Sequence, residues 1–362
     1  MNDPVSRRLA IGMILPAIFA LPLAGAALAH RNLAPLLRFP PPLEIPSGNP
    51  GFSWFAACLV TAPFAILAAW WLPSLRRVQA RPAGTALIRP LPWWGALSWG
   101  WTGIWWVIAW TRFPWFAAGQ WFTFFPLWIG FIVGFNALTW RRRGSCLMLR
   151  APVRWLGLFA ASSVFWWVFE WLNRFVSNWH YLGVEEFGPL GYAANATLCF
   201  STVLPAVAGV GEWLRTHPDW ETRCAAGPPV PLLDRPAVGR IFAAAGLAAL
   251  ALTGFRPQWF YPALWLAPLL LILGAGICSR RPGVWGEIAG GDWRRAASWA
   301  VAALICGFFW EMWNFHSLAK WIYTVPYADR WHVFELPLLG YLGYLPFGLE
   351  CLAACDWVGA GV

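Results

Sequence analysis

Two glutamates lie within apolar segments and have the same neighbours. The segment "WWVFEWLNRFVSNWHY" contains Glu170 and Asn173, and the segment "FFWEMWNFHSLAKWIY" contains Glu311 and Asn314. Residues three apart share one face of a helix, so each amide is expected beside its carboxylate, where it can orient the acid or bind a ligand. A buried carboxylic acid can act as a proton donor at neutral pH, and acids inside a membrane usually serve a function. We therefore predict that Glu170 and Glu311 are a catalytic acid and base.

Aromatic residues surround both acids, and each segment ends in Trp-x-Tyr. The faces of aromatic rings stabilise cations by about 0.5–2 kcal/mol each, which suits a carbocation or a quaternary ammonium group. Such rings also stack on a flat, rigid lipid. We predict a substrate-binding wall around the acids, with the tyrosines at its rim. The candidate residues, together with the two amides, are Trp167, Asn173, Trp179, Tyr181, Trp310, Asn314, Trp321 and Tyr323.

A second acidic residue follows each motif. Glu186 and Glu335 open the next apolar segment, where they are either further catalytic acids or N-terminal helix acids that interact with the helix dipole. No metal and no cofactor are expected, because the nearby His180, His316 and His332 do not occupy matching positions and none forms a His-x-x-His pair. The sequence also contains no nucleotide-binding glycine loop and no haem-attachment motif.

Apolar helices must position these side chains. Of the 362 residues, 59% are hydrophobic and only 12% are charged, whereas a soluble protein is about one quarter charged. Stretches of about 20 apolar residues, each long enough to span a bilayer, recur along the chain. We predict an all-α polytopic membrane helix bundle with about ten transmembrane helices. These helices are predicted near 9–29, 52–73, 92–111, 120–140, 153–177, 190–213, 238–255, 259–278, 297–315 and 337–357.

The distribution of Lys and Arg predicts the orientation, because basic loops stay on the cytoplasmic side of a membrane. With the N-terminus inside, 19 of the 26 basic residues fall on cytoplasmic segments. The outer segments hold Arg31, Arg38, Arg112, Arg174, Arg256, Lys320 and Arg330. We therefore predict a bacterial-type inner (plasma) membrane protein with both termini in the cytoplasm, and we interpret the net charge of +10 as orientation rather than nucleic-acid binding. The first segment also resembles a signal peptide, but its apolar run is long, so we expect it to be retained.

The chain contains a predicted duplication. "FPLWIGFIVGFNALTWRRRG" parallels "YPALWLAPLLLILGAGICSRRPG", the Glu-x-x-Asn segments follow in both copies, and "EFGPLGY" then parallels "ELPLLGY". Each copy is predicted to cross the membrane four times. Because four is an even number, both copies start on the same side and share one orientation, and parallel repeats place a shared site between them. We predict two N-terminal transmembrane helices in 1–89, a first four-helix repeat in 90–214, a cytoplasmic linker in 215–236 and a second four-helix repeat in 237–362. A duplication that serves the fold alone remains the alternative.

The segments "NWHYLGVEEFGPLGY" and "KWIYTVPYADRWHVFELPLLGY" each place Trp-x-Tyr after an intramembrane acid and before an acidic helix start. In this order they resemble the heterodimer-type lycopene cyclases and related carotenoid-modifying membrane proteins. The resemblance implies that acids protonate a polyene and start a cyclisation through a carbocation. Glu185 or Glu186 and Glu335 match the acidic pair of that family, and Glu170 and Glu311 match its upstream acid. This chain departs from the family by lacking the proline before the acidic pair, and its second copy has one Glu.

Three functions are compatible with these patterns. The first is a membrane cyclase or isomerase that performs acid–base chemistry on an isoprenoid-like lipid. The second is a proton-coupled transporter in which the repeats rock around the acids, although no paired Gly/Pro breaks lie near Glu170 or Glu311. The third is a non-catalytic lipid-binding or assembly factor whose acids only bind neighbouring helices. A membrane lipid or an isoprenoid-like small molecule is the expected partner, and no nucleic acid is expected.

Overall fold

The computed structural model describes residues 4–41, 45, 48–77, 88–185, 187–279, 283–357 and 359. Most of them are helical. The helices in chain order are α1 (Pro4–Leu28), α2 (Ala34–Leu37), α3 (Trp54–Arg77), α4 (Trp93–Trp110), α5 (Phe124–Arg143), α6 (Leu147–Arg150), α7 (Pro152–Val176), α8 (Pro189–Phe200), α9 (Val203–Leu214), α10 (Pro218–Cys224), α11 (Pro236–Phe255), α12 (Pro257–Phe260), α13 (Ala263–Cys278), α14 (Val284–Ala289), α15 (Arg294–Phe315) and α16 (Tyr344–Trp357). The 3₁₀ segments are Pro114–Phe122, Pro231–Asp234 and Leu338–Gly343. The strands are β1 (Trp179–Leu182), β2 (Lys320–Tyr323), β3 (His332–Val333) and β4 (Leu336–Pro337).

Within the described ranges, six helical segments are long and apolar enough to cross a membrane. They are Trp54–Arg76, Pro152–Val176, Pro189–Leu214, Pro236–Phe255, Arg294–Phe315 and Leu338–Trp357. A seventh is added if the 3₁₀ segment Pro114–Phe122 and α5, which meet at a bend of 69°, form one span. Several long apolar helices of this kind indicate a protein that is embedded in a membrane.

Helices occupy all ten segments in which the sequence predicts them, but ten spans remain a prediction. The apolar part of α1, Ile14–Leu28, and the 16-residue α13 are shorter than the six spans. The segment predicted near 190–213 consists of two helices, α8 and α9, which are interrupted at Ser201 and Thr202. The last segment starts as a 3₁₀ turn and becomes α-helical only after Gly343; glycine has a low helix propensity.

Helix α1 packs closely against α11 through glycines. A Cβ atom at Gly25 would lie 1.9 Å from the carbonyl oxygen of Ala251, and one at Gly254 would lie 1.9 Å from the carbonyl oxygen of Pro22. Small residues at these positions let the two helix backbones approach closely. Close packing of this kind drives helix association in a membrane, where the hydrophobic effect does not. The first helix is therefore an integral part of the bundle.

Basic residues gather at one end of the bundle, which we call the basic end. Arg150 pairs with Glu212 at 2.9 Å, Arg215 pairs with Glu221 at 3.0 Å, and Arg143 donates to the backbone carbonyl of Arg215. Further ion pairs at this end are Arg294–Glu221, Arg294–Asp292, Arg295–Glu287 and Arg295–Asp356. The contacts bring together the end of α5, the end of α9, helix α10 and the start of α15.

The opposite end carries a two-stranded antiparallel sheet that the all-α prediction did not include. Strand β1 follows α7, and β2 follows α15. Their register is Trp179↔Tyr323, His180↔Ile322, Tyr181↔Trp321 and Leu182↔Lys320. Aromatic and β-branched residues favour strands, so the Trp-x-Tyr motifs suit this conformation. The Trp of each motif therefore lies opposite the Tyr of the other, at the ends of the two helices that carry the glutamates.

Candidate functional site

The first acid site consists of Glu170 with Trp166, Trp179 and Tyr181. Oε1 of Glu170 accepts hydrogen bonds from Nε1 of Trp166 and Nε1 of Trp179, both at 3.0 Å, and from the hydroxyl of Tyr181 at 2.6 Å. Helix α7 places Trp166 one turn before Glu170, where residues four apart are neighbours, and β1 supplies the other two donors. The glutamate is only 6% exposed. A buried carboxyl group is thus held by neutral donors alone among the described hydrogen bonds.

The second acid site consists of Glu311 with Trp321, Tyr323 and Tyr344. Oε1 of Glu311 accepts hydrogen bonds from the hydroxyls of Tyr323 at 2.6 Å and Tyr344 at 2.7 Å. The indole of Trp321 donates to the Tyr323 hydroxyl at 2.9 Å rather than to the acid. Glu311 is fully buried, and its Oε2 has no hydrogen-bond partner among the described atoms. One oxygen of this acid therefore has two donors and the other has none.

The two asparagines hold the strands instead of contacting the acids. Nδ2 of Asn173 donates to the carbonyl of Trp179 at 2.8 Å, and its Oδ1 accepts from the backbone N–H of Asn178 at 2.7 Å. Asn314 makes the corresponding pair with the backbone carbonyl and N–H of Trp321, at 2.7 and 2.8 Å. Both amides, predicted to orient the acids or bind substrate, thus connect each helix to the strand that follows it.

The strand tyrosines remain hydrogen-bond donors at neutral pH. Tyr181 and Tyr323 lie on β1 and β2, beyond the ends of the spanning helices. Burial raises the pKa of each hydroxyl well above its ordinary value. Each hydroxyl therefore keeps its proton at neutral pH. It can transfer a proton only as part of a relay, in which its carboxyl partner supplies or takes up a proton at the same time.

A cavity of about 520 Å³, which we call the aromatic cavity, is lined by residues of both acid sites. Its size lies within the range of small-molecule sites, about 300–1,000 Å³. The lining residues from the acid sites and their neighbours are Trp166, Trp179, Tyr181, Trp310, Trp321, Tyr323 and Tyr344. The ring of Phe347 packs edge-on against Trp166 and Trp265 beneath it. Helix α3 supplies a further apolar side, which includes Val60 and Phe64.

The two carboxyl groups lie behind the lining of the aromatic cavity. Their donors line it, whereas Glu170 and Glu311 are not among its described lining residues. A proton that moves between an acid and a molecule in the cavity therefore passes through a hydroxyl. The available hydroxyls are those of Tyr181 for Glu170, and of Tyr323 and Tyr344 for Glu311.

Other predicted site residues lie away from the aromatic cavity. Trp167 points to α8, where its indole donates to the hydroxyl of Thr197 at 3.0 Å, and it does not line the cavity. Glu335 forms an ion pair with Lys320 beside β2 and shares no described hydrogen bond with Glu311. Glu186 lies outside the residues that the structure describes. One cavity is lined by five of the predicted residues: Trp179, Tyr181, Trp310, Trp321 and Tyr323.

Sequence reasoning missed four residues of the site. Trp166 could have been found from its spacing, one helical turn before Glu170. Tyr344 lies 33 residues beyond Glu311 and reaches it only through the packing of α16 on α15. Asn178 and Tyr192 are also among the residues that line the cavity. They carry no local signal, because long-range packing decides their surroundings.

The described side chains include no group of three or more His, Cys, Asp or Glu residues that could hold a metal ion. Comparison with known proteins adds no family: no family model, no curated protein and no solved structure matches this chain.

Proposed function

We propose that this protein binds an isoprenoid-like lipid in the aromatic cavity and transfers protons to and from it. One observation carries the proposal: a single apolar cavity is lined by the hydrogen-bond donors of two buried glutamates. Buried acids inside a membrane are costly and usually functional. A mostly apolar pocket with a few convergent polar groups is typical of a small-molecule site.

The strand register supports the proposed duplication. The pairs Trp179↔Tyr323 and Tyr181↔Trp321 exchange equivalent residues of the two Trp-x-Tyr motifs. Such a reciprocal contact is expected when two similar units are related by a two-fold axis. We therefore retain the repeats 90–214 and 237–362, with the two N-terminal helices in 1–89 and the linker 215–236.

The basic end supports the proposed orientation. Its arginines belong on the cytoplasmic side of a bacterial-type inner membrane, with both termini inside and about ten spans in total. The aromatic cavity, at the far ends of α7 and α15, would then lie in the outer half of the membrane. A lipid would reach it laterally beside α3, whose spanning residues are almost entirely unburied within the molecule.

The unequal hydrogen bonding suits different roles for the two acids. Three donors to one oxygen stabilise the ionised form of Glu170 and favour it as the base. With only two donors and an unpartnered Oε2, the ionised form of Glu311 is less stabilised than that of Glu170, so we assign Glu311 as the acid. Pairs of carboxyl groups in different surroundings commonly divide these roles.

The proposed reaction adds one proton to the lipid and removes another. The Tyr323 or Tyr344 hydroxyl turns its O–H from Glu311 to the lipid and protonates one carbon of a C=C bond, while its oxygen accepts the proton that Glu311 carries on Oε1. The π electrons form the new C–H bond and leave a carbocation, which the faces of Trp166 and Trp310 stabilise. Tyr181 then accepts a proton from a neighbouring carbon while its own proton moves to Glu170, and the C–H electrons form a new C=C bond. The product is an isomer, or a cyclised isomer if another double bond attacks the cation first.

Lipid extraction and deuterium labelling test this proposal. The detergent-purified protein is analysed by native mass spectrometry for bound lipid, and then incubated with the extracted lipid in D₂O. We expect a tightly held isoprenoid-like lipid and the incorporation of deuterium at carbon. Glu311→Gln should abolish the incorporation while lipid remains bound. Glu221→Gln, which alters an acid at the basic end, is the matched control and should behave like the wild type.

Transport is the second candidate, and interrupted helices favour it. The span Pro189–Leu214 is broken between α8 and α9, and α5 joins its preceding 3₁₀ segment at a bend of 69°. Discontinuous helices often form the substrate sites of transporters built from repeats. Lipid movement between the leaflets of proteoliposomes, without deuterium in the lipid, would favour transport over catalysis. Bound lipid with neither movement nor labelling would leave a lipid-binding or assembly factor.

A further inference from the structure

At the end of the bundle that carries the strands, Arg330 is surrounded by three aromatic rings in what we call the Arg330 cluster. Its guanidinium carbon lies 4.4 Å from the ring centroid of Trp331, 5.2 Å from that of Phe52 and 5.6 Å from that of Trp54. The rings also pack edge to face on one another, at centroid distances of 5.1–5.6 Å. Aromatic faces attract a guanidinium, whereas an anion binds to its N–H edge, so the two kinds of contact are compatible.

Among the described residues, the side chain of Arg330 has no hydrogen bond and no ion pair. The two carboxylates that follow and precede it most closely in the chain are engaged elsewhere: Oδ1 of Asp329 lies 2.9 Å from Nε2 of His332, and Glu335 pairs with Lys320. Other arginines of this end donate to backbone carbonyl groups instead: Arg31, Arg112 and Arg174. Arg330 is thus an exposed cation for which the described part of the chain supplies no anion.

Backbone hydrogen bonds fix the loop that carries Arg330. The N–H of Tyr327 donates to the carbonyl of Pro50, and the N–H of Ser53 donates to the carbonyl of Tyr327, both at 3.0 Å. Tyr327 and Trp331 have φ angles of +61° and +50°, in a region that bulky residues rarely adopt. The loop therefore holds Arg330 in a defined position in spite of backbone strain on both sides of it.

The Arg330 cluster lies at the edge of the aromatic cavity, where α3 meets this loop. Tyr327 and Ala328 line the cavity, and the Cα atom of Arg330 is two residues beyond Ala328, at most about 7 Å away. On the other segment, Ala57 lines the cavity, and Trp54 lies one helical turn before it in α3. Arg330 and Trp54 are not among the described lining residues themselves. The cluster is therefore beside the cavity, where it can meet the head group of a molecule whose chain lies inside.

The distribution of charge divides a ligand into two parts. None of the described lining residues of the aromatic cavity is charged, so a charged group inside it would be buried without a countercharge. The cavity therefore suits an apolar chain, whereas the unpaired guanidinium beside it suits an anionic head group. A guanidinium can bind a phosphate group through two parallel N–H···O bonds, and phosphate is the usual anionic group of membrane lipids.

We propose that the lipid of the aromatic cavity carries a phosphate head group that binds Arg330 outside the cavity, while its apolar chain lies among the aromatic side chains. This inference rests on the proposed function, since it names the ligand class of the same cavity. It distinguishes an isoprenoid-like lipid phosphate from the corresponding neutral alcohol, and it makes Arg330 the residue that selects between them.

Binding of three probes to the full-length protein tests the inference. The probes are geranylgeranyl phosphate, geranylgeraniol and phosphatidylglycerol, measured by tryptophan fluorescence and native mass spectrometry in one uncharged detergent. We expect the phosphate to bind about tenfold more tightly than the alcohol. Arg330→Gln should remove about that factor for the phosphate and leave the alcohol unchanged. Arg330→Lys keeps the charge but not the two parallel bonds, so it should lose part of the factor.

The matched control is Arg256→Gln. Arg256 is another exposed arginine at the same end of the bundle, and its guanidinium carbon lies over the ring of Phe255 at 5.1 Å. This variant removes the same charge without touching the Arg330 cluster, so it should change the binding of neither the phosphate nor the alcohol.

The outcomes separate this inference from the function on which it rests. Equal binding of phosphate and alcohol, no effect of Arg330→Gln, or equal losses in Arg330→Gln and Arg256→Gln would each overturn the inference and leave a lipid-binding cavity in place. Phosphatidylglycerol that binds as tightly as geranylgeranyl phosphate would also overturn it, because the cluster would then bind ordinary membrane phospholipid. If no probe binds and no lipid purifies with the protein, the proposed function itself is wrong.

Discussion

The two acid sites carry the same motif but complete it differently. In the first, Trp166 and Trp179 both donate to Glu170. In the second, position 307, four residues before Glu311, is a glycine, and the ring of Tyr344 occupies the space. A Cβ atom at Gly307 would lie 2.4 Å from that ring. The second site thus replaces an indole from its own helix with a hydroxyl from the next one.

The comparison shows which features the two sites share. Both sites retain a buried carboxyl group, a tyrosine hydroxyl at 2.6 Å from it, and an asparagine that holds the strand. The number of donors differs: three for Glu170 and two for Glu311. The acid and base roles proposed above require this similarity in position and this difference in surroundings.

Replacing each acid by leucine should produce the largest effect and test the difference in donors. Glu170→Leu leaves three buried donors without an acceptor, and Glu311→Leu leaves two. Each unpaired donor should lower the free energy of unfolding by about 1–3 kcal/mol. We therefore expect both variants to be strongly destabilised, and Glu170→Leu the more so. The measurement is the thermal unfolding midpoint in detergent. Glu→Gln at each position keeps one acceptor oxygen and should recover most of the loss; equal losses in the two leucine variants would contradict the donor count.

The close contact at Gly307 gives the next largest effect. Gly307→Ala forces the Tyr344 ring to move and should cost about 1–3 kcal/mol. In a Tyr344→Ala background the same change should cost nothing, because the clash is absent. Gly157 in α7, where an added Cβ would meet no atom within 4 Å, is the matched control: Gly157→Ala should stabilise the helix by up to about 1 kcal/mol. An equal cost in the Tyr344→Ala background would show that the cost at Gly307 does not come from Tyr344.

A third buried acid sharpens the comparison because its only described donor contact is a weak one with the backbone of Leu269. Glu350 in α16 is 0% exposed, and neither of its carboxyl oxygens has a partner with full hydrogen-bond geometry among the described atoms. Glu350→Met keeps a similar shape and removes the cost of these poorly paired oxygens, so we expect stabilisation of about 1–2 kcal/mol. Its unfolding midpoint should rise, in contrast to that of the leucine variants of Glu170 and Glu311. A fall would mean that Glu350 has a stabilising partner in solution.

The sequence predicted the helices better than it predicted the site. Apolar stretches locate helices because the hydrophobic effect acts on composition, which is local. The break at Ser201–Thr202 and the 3₁₀ start of α16 depend on packing and were not predicted. The pairing of β1 with β2 joins residues that lie 138 to 144 positions apart in the sequence, so the sequence of one short strand did not indicate its partner.

Within the site, the sequence singled out the acids and the Trp-x-Tyr aromatics, whereas the hydrogen bonds of the two asparagines to the strands were not predicted. The spacing of Asn173 and Glu170 on one helix face is real, yet an amide at a helix end also reaches the backbone that leaves the helix. The structure contains that second arrangement. Tyr344 and Tyr192 come from helices whose packing only the three-dimensional structure reveals.

The smallest predicted effect concerns the strand pair, where His180 lies opposite Ile322. Nε2 of His180 lies 2.9 Å from the Thr324 hydroxyl, and burial lowers the pKa of the imidazole. The neutral form is therefore favoured in the folded protein. The neutral imidazole of His180 makes its full contribution to stability above the pKa of histidine in the unfolded chain, about 6.5. This contribution is lost as the pH falls below that value, because the unfolded chain then binds a proton more readily than the folded protein.

Stability should consequently fall by about 1 kcal/mol or less between about pH 7.5 and 5.5 in the wild type. His180→Ile, which copies the residue on the facing strand, should remove this part of the pH dependence even if it changes the absolute midpoint. The measurement is the difference between the unfolding midpoints of the two proteins at each pH, which cancels the titration of all other groups. A constant difference across this range would mean that His180 titrates alike in the folded and unfolded chains, and that the strand pair responds to acid through other residues.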